Sequence, residues 1–191
     1  LLKHDVQLIA LGTGDPRYHE VLQTAVADHP AQVAAFLRFD AGMAQRIYGG
    51  ADTFLMPSRR EPCGLGQLIS LRYGCVPIVR RTGGLADTVE DFDGAGGTGY
   101  VFDAYDAGAL LGAIERALST YRDPQAWSAL MRRGMARDSS WEPSARRYVD
   151  VYRDVAARKR AAGTTAPAAA DIPGDAVPDS HFEVVGELGV E

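Results

Sequence analysis

The chain has 191 residues, 46% of them hydrophobic and 24% charged, with 8 Tyr, 6 Phe and 2 Trp. That is the composition of an ordinary globular protein, and the length suits one main domain. The formal charge of -5 comes from one place: residues 161–191 hold Asp171, Asp175, Asp179, Glu183, Glu187 and Glu191 but no Lys or Arg, which leaves the body near neutrality. A near-neutral body has no field to draw in nucleic acid by counterion release, and no nucleic-acid partner is expected.

No segment approaches the roughly 20 consecutive apolar residues that span a bilayer, and no charged segment followed by an apolar one opens the chain. No membrane partner is expected, and the reading is cytoplasmic. Cys63 and Cys75 are too few and too far apart for a zinc knuckle or a disulfide framework, and His4, His19, His29 and His181 make no ligand spacing. The sequence therefore calls for no metal and no cofactor. It opens on Leu1-Leu2-Lys3 rather than Met and runs almost at once into an apolar strand, as a piece of a longer polypeptide would.

In chain order, short apolar runs alternate with amphipathic segments of helix length, the pattern of βα units around a parallel sheet. Strands are predicted at 6–11, 32–37, 53–56, 76–79 and 99–102. Nearly continuous apolar runs such as Val76-Pro77-Ile78-Val79 suit strands covered on both faces. Helices are predicted at 17–28, at 41–49 behind an Asp40 cap, and at 64–73 ending on Gly74. After Phe102 the strands stop, and three helices follow at 106–121, 124–137 and 142–160. The first carries Leu110, Leu111, Ile114 and Leu118 at three- and four-residue spacing. The expected fold is α/β, a Rossmann-like parallel sheet with helices on both faces, in a domain of residues 1–160. Residues 161–191, rich in Ala, Pro, Gly and acids, read as a disordered tail, since such a composition cannot offset ordering entropy of roughly 1–2 kcal/mol per residue.

In open α/β sheets ligands bind beyond the carboxyl ends of the strands, so the chemistry is expected in the segments that follow each strand. The first strand leads into Gly12-Thr13-Gly14-Asp15-Pro16, where glycines allow close backbone approach; the third glycine of a dinucleotide fingerprint is missing. The second leads to Phe39, an aromatic placed to stack on a purine or simply to join the core. After the third comes Glu61-Pro62-Cys63-Gly64-Leu65. Here a carboxylate precedes the amides of Cys63, Gly64 and Leu65 at a predicted helix start, a setting suited to a diphosphate, though a plain acidic helix cap has the same appearance. The fourth is followed by Arg80-Arg81-Thr82-Gly83-Gly84, with a hydroxyl, a glycine pair and guanidinium groups able to meet phosphate oxygens, or else a solvated basic turn. Asp91-Phe92-Asp93, with no strand leading into it, reads mostly as a solvated loop.

Taken together, Gly12-Thr13-Gly14-Asp15, Pro57-Ser58-Arg59, Glu61-Pro62-Cys63-Gly64-Leu65, Gln67-Leu68, Arg72-Tyr73-Gly74, the run from Pro77 to Val89 and Trp141 resemble the C-terminal, nucleotide-sugar-binding half of the bacterial glycogen synthase and plant starch synthase family. The resemblance covers about residues 6–155. It implies the C-terminal domain of a GT-B fold lacking its N-terminal domain and first βα unit, so that one strand and its covering helix are absent from the sheet. It also implies retaining transfer of glucose from ADP-glucose to the non-reducing end of an α-1,4-glucan, without metal. Glu61 would stand beside the donor glucose as the catalytic carboxylate, and the Cys63, Gly64 and Leu65 amides would hold ring hydroxyls and phosphate. Phe39 would stack on adenine, with Gly12, Arg81, Thr82 and Gly83 completing the donor site.

Departures from the family pattern are Arg60, where an aromatic is usual, and Gly66, where a hydroxyl or amide is usual. The alternatives are a non-catalytic fragment that binds nucleotide or glucan, and another retaining transferase of the same architecture. Ile69 counts against the latter, since sucrose- and trehalose-synthase-like enzymes carry a carboxylate there. A further N-terminal domain, supplying the family's catalytic His and the basic residues that clamp the diphosphate, is expected to be needed for transfer.

Overall fold

The structure is a computed structural model that describes residues 1–161; the tail expected to be disordered lies outside the described residues. Five strands form, β1 (Leu8–Leu11), β2 (Val33–Phe36), β3 (Thr53–Met56), β4 (Val76–Arg80) and β5 (Tyr100–Phe102). Seven helices are described, α1 (Pro16–Asp28), α2 (Ala41–Gly50), α3 (Gly66–Tyr73), α4 (Gly83–Thr88), α5 (Ala107–Tyr121), α6 (Pro124–Ala136) and α7 (Trp141–Ala161). Residues Leu1–Arg137 make one compact unit, and α7 belongs to a second that begins at Asp138. Among the described residues no helix is long and apolar enough to cross a membrane.

Every strand pairing is parallel, but the strands fall into two sheets, β1-β2 and β3-β4-β5. Between β1 and β3 lies a cavity of about 420 Å³, lined by Leu8, Leu11, Phe54, Leu55, Ile114 and Leu118 among others. Among the described residues β1 and β3 each have one unpaired edge, and the apolar gap lies between them. A strand placed there would give the order β2-β1-(strand)-β3-β4-β5, the doubly wound arrangement with its crevice at the reversal of strand order.

The core sits on the larger sheet. β4 is buried from Val76 to Val79, as the continuous apolar run requires. One of its faces packs Val76 and Ile78 with Tyr100, Phe102, Ala113, Ile114, Ala117, Trp127 and Leu130, and the other packs Val79 with Leu85, Val89 and Val101. Local chemistry sets the helix ends. The carboxylates of Asp40 and Asp106 accept from the Met43 and Ala109 amides, each at 2.9 Å, and Gly74, in the left-handed region at φ 78°, ends α3.

Two expectations are corrected. The third helix begins at Gly66 rather than residue 64, with Leu65 as its cap. Gly64 adopts φ 72°, which an α-helix cannot continue through, so Pro62, Cys63 and Gly64 belong to the loop before the helix. The segment 83–88, where no helix is predicted and a solvated basic turn is one reading of its start, is the short helix α4.

Candidate functional site

The loop from Pro57 to Leu65, leaving the carboxyl end of β3, and the start of α4, following β4, lie against each other. The Gly84 amide donates to the carbonyls of Glu61 (3.0 Å) and Pro62 (3.1 Å). A Cβ on Gly83 would stand 2.0 Å from the Glu61 carbonyl oxygen, and one on Gly84 2.0 Å from that of Cys63. Only glycine permits this approach, and Gly83 also has φ 43°. The glycine pair is thus the seat on which the Glu61 loop rests.

Fixed in this way, the loop leaves its polar groups outward. The Glu61 side chain is half-buried, and among the described residues its carboxylate has no hydrogen-bond or ion-pair partner. Cys63 and Leu65 are exposed, and among the described residues nothing accepts from the amides of Cys63, Gly64 or Leu65. The Thr82 hydroxyl makes no capping bond to α4. A carboxylate and three amides within five residues, with a hydroxyl just before the glycine pair that seats them, all without partners among the described residues, can hold an anion and sugar hydroxyls together, with the acid beside the sugar.

The arginines behave differently from one another. Arg80 turns inward along the strand ends, donating from Nη1 to the Arg59 carbonyl (3.0 Å) and from Nε to that of Asp103 (3.1 Å), and so ties the Glu61 loop to the end of β5. Arg81 Nε pairs with Asp103 Oδ1 at 2.7 Å, both side chains being largely open to solvent. Exposed pairs of this kind are worth little, so an incoming anion can compete for the guanidinium.

Gly12 and Phe39 stand on the other sheet. The Gly12 amide continues the β1-β2 ladder by donating to the Phe36 carbonyl (3.1 Å). Phe39, just past β2, is 88% exposed, which settles one alternative: it is not a core residue. Asp91, in the Asp-x-Asp segment, is half-buried rather than solvated. It receives two hydrogen bonds from Arg116 and one from the Val101 amide, and an isolated parallel bridge joins it to Gly99. Asp93 accepts from the Ala95 and Gly96 amides, which hold its carboxyl below the usual carboxylate range.

Gly66 is a packing position: a Cβ there would meet the Phe54 ring at 2.9 Å. Arg80, offered by the sequence as a phosphate ligand beside Arg81, instead ties the loop to the end of β5; the buried amide of Gln67 and the helix α4 are parts of the site that the sequence reading missed. The available signal for Gln67 was a single amide among the apolar residues of α3.

Parallel βα units, with a carboxylate loop resting on a glycine pair beyond the carboxyl ends of the strands, are those of a doubly wound α/β protein with its ligand groups at the strand ends. The family model described as "Glycosyl transferases group 1" matches residues 1–133, and the chain belongs to that family. Within it the chain lies with the glycogen and starch synthases. It is 59% identical over 157 residues to the glycogen synthase of Anaeromyxobacter sp. (strain K), a match taking in 82% of this chain and 33% of that protein. It is 55% identical over 157 residues to the glycogen synthase of Desulforudis audaxviator, taking in 81% of this chain and 31% of the relative. Among solved structures it resembles the catalytic domain of Arabidopsis thaliana starch synthase IV bound to ADP and acarbose, with a TM-score of 0.70 and 33% identity, covering 78% of this chain and 32% of that one. The chain spans about a third of the length of the curated relatives it matches.

Proposed function

We propose that residues 1–160 form the nucleotide-sugar-binding domain of a cytoplasmic glycogen synthase, which transfers glucose from ADP-glucose to the non-reducing end of an α-1,4-glucan with retention. The observation that carries this reading is the seating of the Glu61 loop on Gly83 and Gly84, with a carboxylate and three amides at one strand end that have no partner among the described residues. The glycogen synthase relatives and the ADP-bound starch synthase neighbour support the choice of donor and acceptor.

In this reading the Cys63, Gly64 and Leu65 amides, with Thr82, take the sugar hydroxyls and the departing diphosphate. Arg81 exchanges Asp103 for a phosphate oxygen. Glu61 stands against the positive charge that develops on the glucose ring as the bond to the diphosphate lengthens. Gly12 admits the nucleotide to the backbone, and Phe39 stacks on adenine. The transfer step needs the complementary domain as well, consistent with the third of the relatives' length that this chain spans.

The test is titration of the 191-residue chain with ADP-glucose and UDP-glucose, observed through backbone amide resonances. Weak, saturable shifts at Cys63, Gly64 and Leu65 are expected, stronger for ADP-glucose and reduced in Glu61→Ala and Arg81→Ala. Radiolabelled glucose should not enter glycogen with this chain alone. Shifts confined to other parts of the molecule would overturn the site, and glucan elongation by the chain alone would overturn the need for a second domain.

A further inference from the structure

We infer that Gln67 is a positioning residue for the anion site, its side-chain amide holding the Cys63 and Gly64 carbonyls inward so that the neighbouring N–H groups point to the ligand. The inference deepens the donor-site reading of this loop and rests on it.

Gln67 is in the first turn of α3 and is completely buried, an environment in which polar atoms normally find hydrogen-bond partners, and its donor end does. Its Nε2 lies 3.0 Å from the Cys63 carbonyl, 3.0 Å from the Gly64 carbonyl and 3.1 Å from Thr88 Oγ1. The two amide protons are thus shared over three acceptors. The opposite orientation of the amide is excluded by the same neighbours. It would aim Oε1 at two carbonyls, while the Thr88 hydroxyl proton is engaged with the Gly84 carbonyl. Oε1 instead sits buried without a partner, over the place where Gly64 would carry a Cβ, 2.4 Å away. Gly64 is therefore fixed twice, by φ 72° and by the Gln67 head group resting on it.

The other carbonyls of the loop are held in the same sense. Arg80 holds that of Arg59, the Gly84 amide those of Glu61 and Pro62, and the Ile69 amide that of Leu65. A peptide group is a rigid dipole, so each carbonyl held inward turns the following N–H outward. Gln67 acts on the peptides that carry the Gly64 and Leu65 amides. Through Thr88 it also joins the loop to the helix that supplies the glycine seat. The result is an anion-binding concavity arranged before the ligand arrives.

Gln67→Glu separates this role from simple core packing because it keeps the shape and makes the donor titratable. At low pH the new carboxyl is protonated and donates once to the loop. As pH rises the carboxylate faces two carbonyl oxygens, and the loop must turn away. ADP-glucose affinity of Gln67→Glu should approach that of the parent near pH 6 and fall by about tenfold toward pH 9, the scale of one buried hydrogen-bonding group left unmade. The parent over the same range is the reference, since the diphosphate diester does not titrate there and the Cys63 thiol is common to both proteins.

Gln67→Leu should bind weakly at every pH. Should Gln67→Leu fail to fold, Thr88→Val should weaken binding and Thr88→Ser restore it. A Gln67→Glu profile parallel to the parent's, or Gly64 and Leu65 amide resonances that do not move with pH in ligand-free Gln67→Glu, would overturn the role. If the parent itself shows no response to ADP-glucose, the donor reading fails by itself. The ligand-free resonances still decide whether Gln67 sets the loop.

Discussion

The two sheets of the first compact unit are built from the same kind of βα unit, yet they are packed to very different degrees. In the larger sheet β4 is buried from Val76 to Val79 and β5 throughout, with β3 half-buried beside the cavity, and α5 and α6 contribute Ala113, Ile114, Ala117, Trp127 and Leu130 to a single cluster. Around β1-β2 only Val33 is fully buried in residues 1–52, and neither α1 nor α2 buries a residue completely. Ile9, in the middle of β1, remains 47% exposed. The difference follows from the cavity between β1 and β3. A parallel sheet gains its stability from cover on both faces and from neighbours on both edges, and β1-β2 has an edge with neither. The site is divided along the same line. The carboxylate loop and the glycine pair rest on the dense sheet, whereas Gly12 and Phe39 rest on the sparse one.

The largest expected effect is a direct test of this contrast. Leu130→Ala empties a fully enclosed position and should cost about 2–5 kcal/mol in urea unfolding. Ile9→Ala, at a side chain of similar hydrophobicity in β1, should cost less than about 1 kcal/mol because half the side chain is already in water. Equal costs would show that the two sheets share one core and that the comparison is wrong.

An intermediate effect is expected at alkaline pH. Burial pushes the Cys75 thiol up to about 12, from an ordinary value of 9.0. The folded state therefore retains this proton more tightly than the unfolded chain. The stabilisation is complete below pH 9 and is lost as pH rises from 9 toward 12. Burial also raises Tyr100, so the alkaline limb has two contributors from the dense sheet. Cys75→Ala should make stability less steeply dependent on pH between 9 and 12, as followed by circular dichroism. An unchanged slope would remove Cys75 from the account.

How far the sequence revealed this arrangement depended on the range of the interactions involved. Strands and most helices were legible because their signals are local: the apolar run at Val76–Val79, the Asp40 carboxylate three residues before the amide it accepts from, and Gly74 where a left-handed residue stops α3. Glu61, Cys63, Gly64 and Leu65 were legible as a group because they are contiguous. The start of α3 was misplaced for the same reason that it looked clear. An acid followed by proline resembles a helix entrance, and only the backbone angle of Gly64 shows that the turn lies ahead of the helix. The helix at the glycine pair was not legible because the pair serves the close passage of Glu61 and Cys63, some twenty residues away in sequence. Gln67 was hidden in the same way, since Thr88 belongs to another helix. The inward turn of Arg80 and the pairing of Arg81 with Asp103 likewise depend on β5 lying beside β4.

The smallest effect sharpens the comparison most, because it applies one chemical change to both sheets. Asp106 and Asp40 cap α5 and α2 through bonds of the same length to the third residue onward. Asp106→Ala should lower global stability by about 0.5–2 kcal/mol, since α5 is fastened to the main core and cannot fray without opening it. Asp40→Ala removes the same type of bond from a helix with no fully buried residue. There the Met43 amide and then Arg38 hold the carboxyl below its ordinary value of 3.8, so the stabilisation is present above that value and is lost as pH falls through the lowered one. α2 meets β3 and α3 only through half-buried or exposed side chains such as Tyr48 and Gln45, so the change should appear as faster hydrogen exchange at the α2 amides with little movement of the global unfolding midpoint. Hydrogen exchange and thermal unfolding measured on both variants distinguish the cases. If Asp40→Ala shifts the midpoint as far as Asp106→Ala does, α2 unfolds only with the whole, and the sparse sheet is coupled to the dense one in spite of the cavity between them.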